Sequence, residues 1–121
     1  MGSSHARAVA DGKVKRCELV AVCDIRPKQM APFNEKIKRF ADSRQLIRSG
    51  EVDAVLIATP HYAHTTVGID ALQQGLHVLV EKPISVHKAD CERLIKAHKN
   101  KKQRFAAMFN VRTTPAYKKA R

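Results

Sequence analysis

The stretch ELVAVCD, residues 18–24, decides the fold class, because it is an unbroken run of β-forming residues that ends in an acid. Two further runs have the same character, VDAVLIA at residues 52–58 and LHVLV at residues 76–80. A fourth, RFAAMF at residues 104–109, is weaker because alanine is a poor strand former. Runs that are apolar on both faces are typical of a parallel sheet covered by helices. The sequence therefore predicts an α/β protein with a doubly wound parallel sheet.

The segments between these runs are long enough for the crossovers that parallel strands require. Residues 59–75 carry an apolar stripe at helical spacing, and Gly75 stands where a helix would stop. Residues 81–103 carry a second stripe. The stripes consist of Val67, Gly68, Ala71 and Leu72 in the first segment and Cys91, Leu94, Ile95 and His98 in the second. Each stripe predicts one helix.

Residues 25–51 are too many for one crossover helix, so they predict several short elements. The pattern favours a helix near residues 32–38, a short strand near residues 39–41 and a helix over residues 43–49. Asp42 and Ser43 are candidate N-caps for the second helix, and Gly50 is a candidate stop.

The beginning of the chain has the pattern of the middle of a βαβ unit. Residues 3–11 predict a helix with serine N-caps that leads into the strand at residues 18–24, and no strand precedes that helix. In the doubly wound strand order 3-2-1-4-5, the first strand lies between the second, here residues 18–24, and the fourth, here residues 52–58. We therefore expect a sheet that lacks its first strand, in which residues 18–24 and 52–58 do not pair with each other.

The composition of the 121 residues argues against several classes of protein. The longest apolar runs span about five residues, whereas a membrane helix needs about 20, and the N-terminus lacks a secretory-signal pattern. Three cysteines with no C-x-x-C spacing argue against a disulfide scaffold or a structural zinc site and favour a reduced, cytoplasmic setting. The formal net charge of +12 is spread along the chain, and its densest run, residues 96–104, is typical of a solvated helix end. We therefore predict neither a nucleic acid nor a membrane as a partner, although a basic nucleic-acid binder remains the alternative that the charge allows.

Gly2 and Asp24 have the spacing of a dinucleotide site. A glycine turn at a helix N-terminus binds pyrophosphate through free N–H groups, and an acid about 20 residues later takes the ribose hydroxyls. Asp24 follows Gly2 by 22 residues and closes the strand at residues 18–24. One glycine and one acid equally fit a tight helix start and a strand-end turn, so both interpretations stay open at this point.

Two more polar clusters follow predicted strands, where open α/β sheets bind ligands. Thr59, Pro60, His61 and His64 follow the strand at residues 52–58, and their spacing argues for lining a cleft rather than holding a metal, because histidine pairs on zinc-binding helices are usually four residues apart. The motif Glu81-Lys82-Pro83 follows the strand at residues 76–80, and its proline stiffens the turn. A lysine held there can polarise or protonate a substrate oxygen, or simply form a surface ion pair.

The ordered set of motifs resembles the glucose–fructose oxidoreductase/inositol dehydrogenase (Gfo/Idh/MocA) family. It consists of the tripeptide Ala58-Thr59-Pro60 with His64, the segment GLHVLVEKP at residues 75–83, and the segment MFNVR at residues 108–112 with the tripeptide PAY at residues 115–117. The resemblance implies an N-terminal Rossmann domain and a C-terminal substrate domain that together oxidise or reduce sugars and polyols with NAD or NADP. It assigns residues 1–109 to a truncated Rossmann domain and residues 110–121, with Arg112, to the connection to the second domain.

The resemblance also implies a role for each candidate residue. Gly2 matches the last glycine of the phosphate turn, and Asp24 matches the acid that holds the adenosine ribose. A carboxylate there repels a 2′-phosphate and favours NAD, although Arg26 can offset this preference. Thr59, Pro60, His61 and His64 match positions that line the family's cofactor cleft. Glu81 matches the position near the nicotinamide ribose. Lys82 matches the catalytic position beside the nicotinamide and the substrate hydroxyl.

The departures from the family pattern shape the functional expectation. The first strand, the first two glycines of the phosphate turn and the second domain's catalytic partners are absent from these residues. We therefore expect a fragment of a cytoplasmic, homo-oligomeric NAD(P)-dependent oxidoreductase that acts on a sugar or polyol, and we expect the fragment alone to be inactive. The alternative is a non-catalytic nucleotide-binding or interaction module of the same fold.

Overall fold

The computed structural model describes residues 1–109 and Pro115, so the expectations for residues 110–114 and 116–121, Arg112 included, lie outside the described residues. The helices are α1 (Gly2–Ala10), α2 (Pro27–Met30), α3 (Ser43–Ile47), α4 (His64–Gln73) and α5 (Lys88–Ala97), and a 3-10 turn (His61–Ala63) precedes α4. The strands are β1 (Ala21–Cys23), β2 (Lys38–Phe40), β3 (Ala54–Ile57), β4 (His77–Val80) and β5 (Phe105–Ala107). Within this part of the chain, no helix combines the length and apolar character needed to cross a membrane.

The strands form two parallel sheets rather than one. β1 pairs with β2, and β3, β4 and β5 form a second sheet in that order. The registers place Val22 opposite Arg39 and Val78 opposite both Val55 and Phe105. Among the described strands, β1 and β3 do not pair, which confirms the expectation that residues 18–24 and 52–58 do not pair with each other. Helix α3 contacts β1, β2 and α4, and in this way it joins the two sheets.

The element boundaries follow from local chemistry at two turns. Asp42 caps α3, as predicted, because its Oδ1 accepts the N–H of Arg44 at 2.8 Å. Gly75 follows α4 with a φ of +88°, a left-handed conformation that glycine adopts without steric cost.

The prediction of a helix over residues 32–38 is wrong. A single helical turn, α2, forms earlier in the chain instead. Pro27 lies in its first turn, where a backbone N–H would have no partner within the helix, so the N–H that proline lacks is not needed. Asn34 accepts the N–H of Lys36 at 2.9 Å, and this local turn competes with helix formation where the helix was expected.

The main core lies between the second sheet and the helices α4 and α5. Ile57, Val78 and Val80 are buried there with residues of α4 and with Leu94 of α5. Gly68 permits this close approach, because a Cβ at that position would stand 2.7 Å from Leu94 Cδ1. The expectation that the strand at residues 52–58 is buried on both faces is wrong. Leu56 is 39% exposed, because the apolar cluster around α4 and α5 covers the face that carries Ile57, Val78 and Val80.

Candidate functional site

The three predicted clusters follow strands at their carboxyl ends. Asp24 follows β1, Thr59 and Pro60 follow β3, and Glu81 and Lys82 follow β4. Within each sheet the strands are parallel, so β3 and β4 end at the same edge. In α/β folds this edge forms the crevice where ligands bind.

Helix α1 begins close to this edge. The first N–H groups that bond within the helix are those of Ser4 and His5, which both donate to Met1 O, so the N–H groups of Gly2 and Ser3 lie at the open end of the helix. A Cβ added at Gly2 would stand 3.3 Å from the Cβ of Ala58, just after β3. Gly2 therefore lets the helix N-terminus approach the strand end more closely than a larger residue would.

Asp24 presents a carboxylate that is only partly engaged. Its Oδ1 accepts the N–H of Arg26 at 2.8 Å, and the Arg26 Nε stands 3.7 Å from the same oxygen. Among the described residues no partner engages Oδ2, so this oxygen is available to a ligand hydroxyl. The guanidinium of Arg26 is largely exposed and lies beside the carboxylate, which reduces the field that an approaching anion meets.

Glu81 is buried, with 4% of its surface exposed, and both of its carboxylate oxygens have partners. His5 Nε2 lies 2.6 Å from Oε1, and the Lys82 N–H donates to Oε2 at 2.9 Å. Burial raises the pKa of Glu81, but the hydrogen bonds from His5 and the Lys82 N–H and the nearby positive charges outweigh it, so the pKa lies below its ordinary value. Lys82 itself is exposed and takes part in no ion pair within the described residues. The surface ion pair considered for Glu81 and Lys82 is therefore not what the structure contains.

Sequence reasoning missed His5. The signal that could have indicated it is its spacing of three from Gly2, which puts the two residues on one face of α1. If Gly2 approaches the strand ends, His5 must approach them as well.

His64 is fully buried and joins two of the clusters. Its Nδ1 lies 2.9 Å from Pro83 O, and its Nε2 lies 2.9 Å from Thr59 O. A carbonyl oxygen only accepts, so each contact is a hydrogen bond when the facing ring nitrogen carries a proton. A second link joins the hydroxyls of Thr65 and Ser85 at 2.8 Å. These contacts hold the loop after β3 against the loop after β4 and leave neither ring nitrogen of His64 free for a ligand.

The remaining candidates lie at the surface, in the loop and the 3-10 turn that follow β3. Thr59, Pro60 and His61 are exposed, and the His61 ring meets the His64 ring edge-on at 5.6 Å between centroids. Within the described part of the chain, no group of three or more histidine, cysteine, aspartate or glutamate residues could hold a metal ion. The arrangement offers an open helix N-terminus, an available carboxylate oxygen and an exposed lysine beside a buried glutamate.

Comparison with known proteins identifies relatives across almost the whole chain. Residues 1–109 match the family GFO_IDH_MocA, described as "Oxidoreductase family, NAD-binding Rossmann fold". The inositol 2-dehydrogenase of Salmonella typhimurium is 35% identical over 108 residues, which cover 86% of this chain and 32% of that protein. The rhizopine catabolism protein MocA of Rhizobium meliloti is 38% identical over 87 residues, which cover 71% of this chain and 27% of that protein. The chain therefore spans about a third of the length of the curated relatives it matches.

Solved structures show the same relationship. The myo-inositol 2-dehydrogenase of Lactobacillus plantarum superposes with a TM-score of 0.91 at 26% identity, over 98% of this chain and 36% of that one. The scyllo-inositol dehydrogenase of Lactobacillus casei, with bound NAD(H) and scyllo-inositol, superposes with a TM-score of 0.87 at 27% identity over the same shares. With the family match and the parallel strand order, these likenesses establish that the chain belongs to the GFO_IDH_MocA oxidoreductase family and has its NAD-binding Rossmann fold.

Proposed function

We propose that this chain forms the dinucleotide-binding part of an NAD(P)-dependent dehydrogenase that acts on a hydroxyl group of an inositol or a related polyol or sugar. The observation that carries the proposal is Lys82, an exposed lysine that follows β4 beside the buried carboxylate of Glu81. The structural and curated relatives named for inositols support the substrate class.

The described residues fit a nicotinamide dinucleotide. The open N–H groups at the start of α1 suit a pyrophosphate, because helix N-termini favour anions. Asp24 Oδ2 suits the adenosine ribose hydroxyls, and Glu81 and Lys82 suit the nicotinamide end. Thr59, Pro60 and His61 would line the cleft between them, while His64 would support its wall.

Within this proposal the preferred dinucleotide is NAD. The Asp24 carboxylate repels a 2′-phosphate, and Arg26 only partly offsets this repulsion, because its guanidinium is largely exposed to solvent and its Nε stands 3.7 Å from the carboxylate. The chemistry supplied by the bound dinucleotide is hydride transfer at nicotinamide C4. Lys82 would donate a hydrogen bond to the reacting oxygen and so stabilise the charge that develops on it.

The proposal extends to setting and assembly. Cys17, Cys23 and Cys91 are free thiols, which suits a reducing, cytoplasmic setting. We also propose a homo-oligomer without a nucleic-acid or membrane partner, as the resemblance and the dispersed charge of the sequence imply.

The binding part of the proposal is tested on the chain itself. NADH and NADPH are titrated into the isotope-labelled chain, and NMR shifts are followed, a method that also measures weak affinities. We expect saturable shifts at the start of α1, at Asp24 and at Lys82, with NADH binding more tightly than NADPH. The matched control is Asp11→Ser, which changes an exposed aspartate just after α1 and should leave both affinities unchanged. The absence of saturable shifts at these residues would contradict the proposal.

A further inference from the structure

Helix α1 is attached to the rest of the molecule in an unusual way. None of its nine residues is fully buried, although Ala6, Ala8 and Val9 are half-buried, so apolar packing holds this helix less firmly than it holds α4 and α5. Its one hydrogen-bonded side-chain contact with a strand end, among the described residues, is the 2.6 Å contact between His5 and Glu81, which joins residues 76 positions apart. The same carboxylate holds the backbone N–H of Lys82 through its other oxygen.

We propose that His5 is a positioning residue that couples the two ends of the dinucleotide cleft through Glu81, and this inference rests on the proposed function. One end is the N-terminus of α1, where the pyrophosphate would bind. The other end is the turn at residues 81–83, where the nicotinamide would bind.

The geometry of Glu81 explains how the two ends are coupled. A carboxylate that accepts hydrogen bonds at both oxygens is held in one orientation, and charge-assisted bonds of this kind are the strong ones. Because one bond comes from α1 and the other from the Lys82 backbone, neither the helix nor the turn can shift without straining the Glu81 side chain. Without His5, the buried Glu81 would keep only the Lys82 N–H and would reorient toward water.

The coupling matters only for a ligand that reaches both ends. NADH spans the cleft from the adenosine to the nicotinamide, so its affinity should depend on the distance between the start of α1 and the turn after β4. ADP occupies the adenosine and pyrophosphate end alone. A role confined to holding α1 would affect both ligands equally, whereas a role in coupling affects NADH more.

The experiment measures the affinities of NADH and ADP for the full chain and three variants by NMR titration. His5→Ala removes the contact, and His5→Gln retains a side-chain N–H donor for Glu81. His87→Ala is the matched control, because His87 is exposed and makes no capping hydrogen bond at the start of α5. For His5→Ala we expect NADH affinity to fall about tenfold and ADP affinity to fall less than about threefold, as loss of a charged hydrogen bond predicts. His5→Gln should restore at least half of the loss on a logarithmic scale.

A second readout needs no ligand. Carboxyl NMR measures the pKa of Glu81, which should rise in His5→Ala and stay unchanged in the His87 control. Equal losses of NADH and ADP affinity, or no loss for either ligand, would overturn the inference and leave the proposed function standing. An unchanged Glu81 pKa in His5→Ala would overturn it as well. Failure of the unaltered chain to bind either ligand would overturn the proposed function and the inference together.

Discussion

Replacement of His64 tests the physical account of the cleft most directly. Its ring is 0% exposed and faces two backbone carbonyl oxygens at 2.9 Å. His64→Ala removes one or two hydrogen bonds at about 1 kcal/mol each, depending on how many ring nitrogens carry a proton. The space left by the ring adds about 1–2 kcal/mol for lost packing. We therefore expect the free energy of unfolding to fall by about 2–4 kcal/mol, a large share of the roughly 5–15 kcal/mol typical of a domain.

A second replacement separates the two contributions. His64→Phe keeps a ring of similar size and loses only the hydrogen bonds, so it should cost about 1–2 kcal/mol. The control is His61→Ala, which removes the exposed neighbouring ring and should change stability by less than about 0.5 kcal/mol. Urea denaturation followed by circular dichroism measures all three variants. A loss below about 1 kcal/mol for His64→Ala would refute the conclusion that this side chain holds the two loops together.

Three further outcomes follow from the site. Lys82→Ala, in a polypeptide that joins these residues to a relative's substrate domain, should lower dehydrogenase turnover about 100-fold while the melting temperature barely changes, and near-normal turnover would contradict the role of this lysine. Asp24→Ser should weaken NAD binding and relatively favour NADP in calorimetric titrations, and unchanged affinities for both would argue against the assignment. The pKa values of Glu81 and Asp70 lie below their ordinary values, the latter because of its hydrogen bond with Arg48, so stability should be present at neutral pH and fall as these groups protonate below about pH 4.5. Denaturation midpoints that stay constant from neutral pH to about pH 3 would be inconsistent with this reasoning.

Local patterns predict the regular elements well where one signal dominates. Each apolar run became a strand, although a shorter one than expected, and Asp42 caps α3 because an N-cap depends only on its neighbours in sequence. The helix expected over residues 32–38 failed because two local signals compete there. Pro27 favours a helix that begins at that residue, and the turn at Asn34 opposes a helix over residues 32–38. The spacing of apolar residues does not show which of these signals is stronger.

The candidate site was only partly predictable for a different reason. Asp24 and Lys82 lie at strand ends, and strand ends can be inferred from the sequence. The contact between His5 and Glu81 joins positions 76 residues apart, and no local pattern encodes it. The burial of His64 likewise depends on two loops meeting around one ring, so its sequence position suggested a cleft residue rather than a link between loops.

The links that assemble the cleft differ in kind from those that assemble the core. The core depends on apolar side chains such as Val80 and Leu94, whose burial does not respond to protonation. The cleft depends on polar contacts between chain segments, those of His5 with Glu81 and of His64 with two carbonyl oxygens. Polar contacts of this kind have strict geometry, so they determine where the exposed side chains lie, and loss of one partner leaves a buried polar group unpaired at a cost of about 1–3 kcal/mol. The exposed side chains of Lys82 and His61 can therefore be replaced with little change in stability, whereas the fully buried His64 cannot.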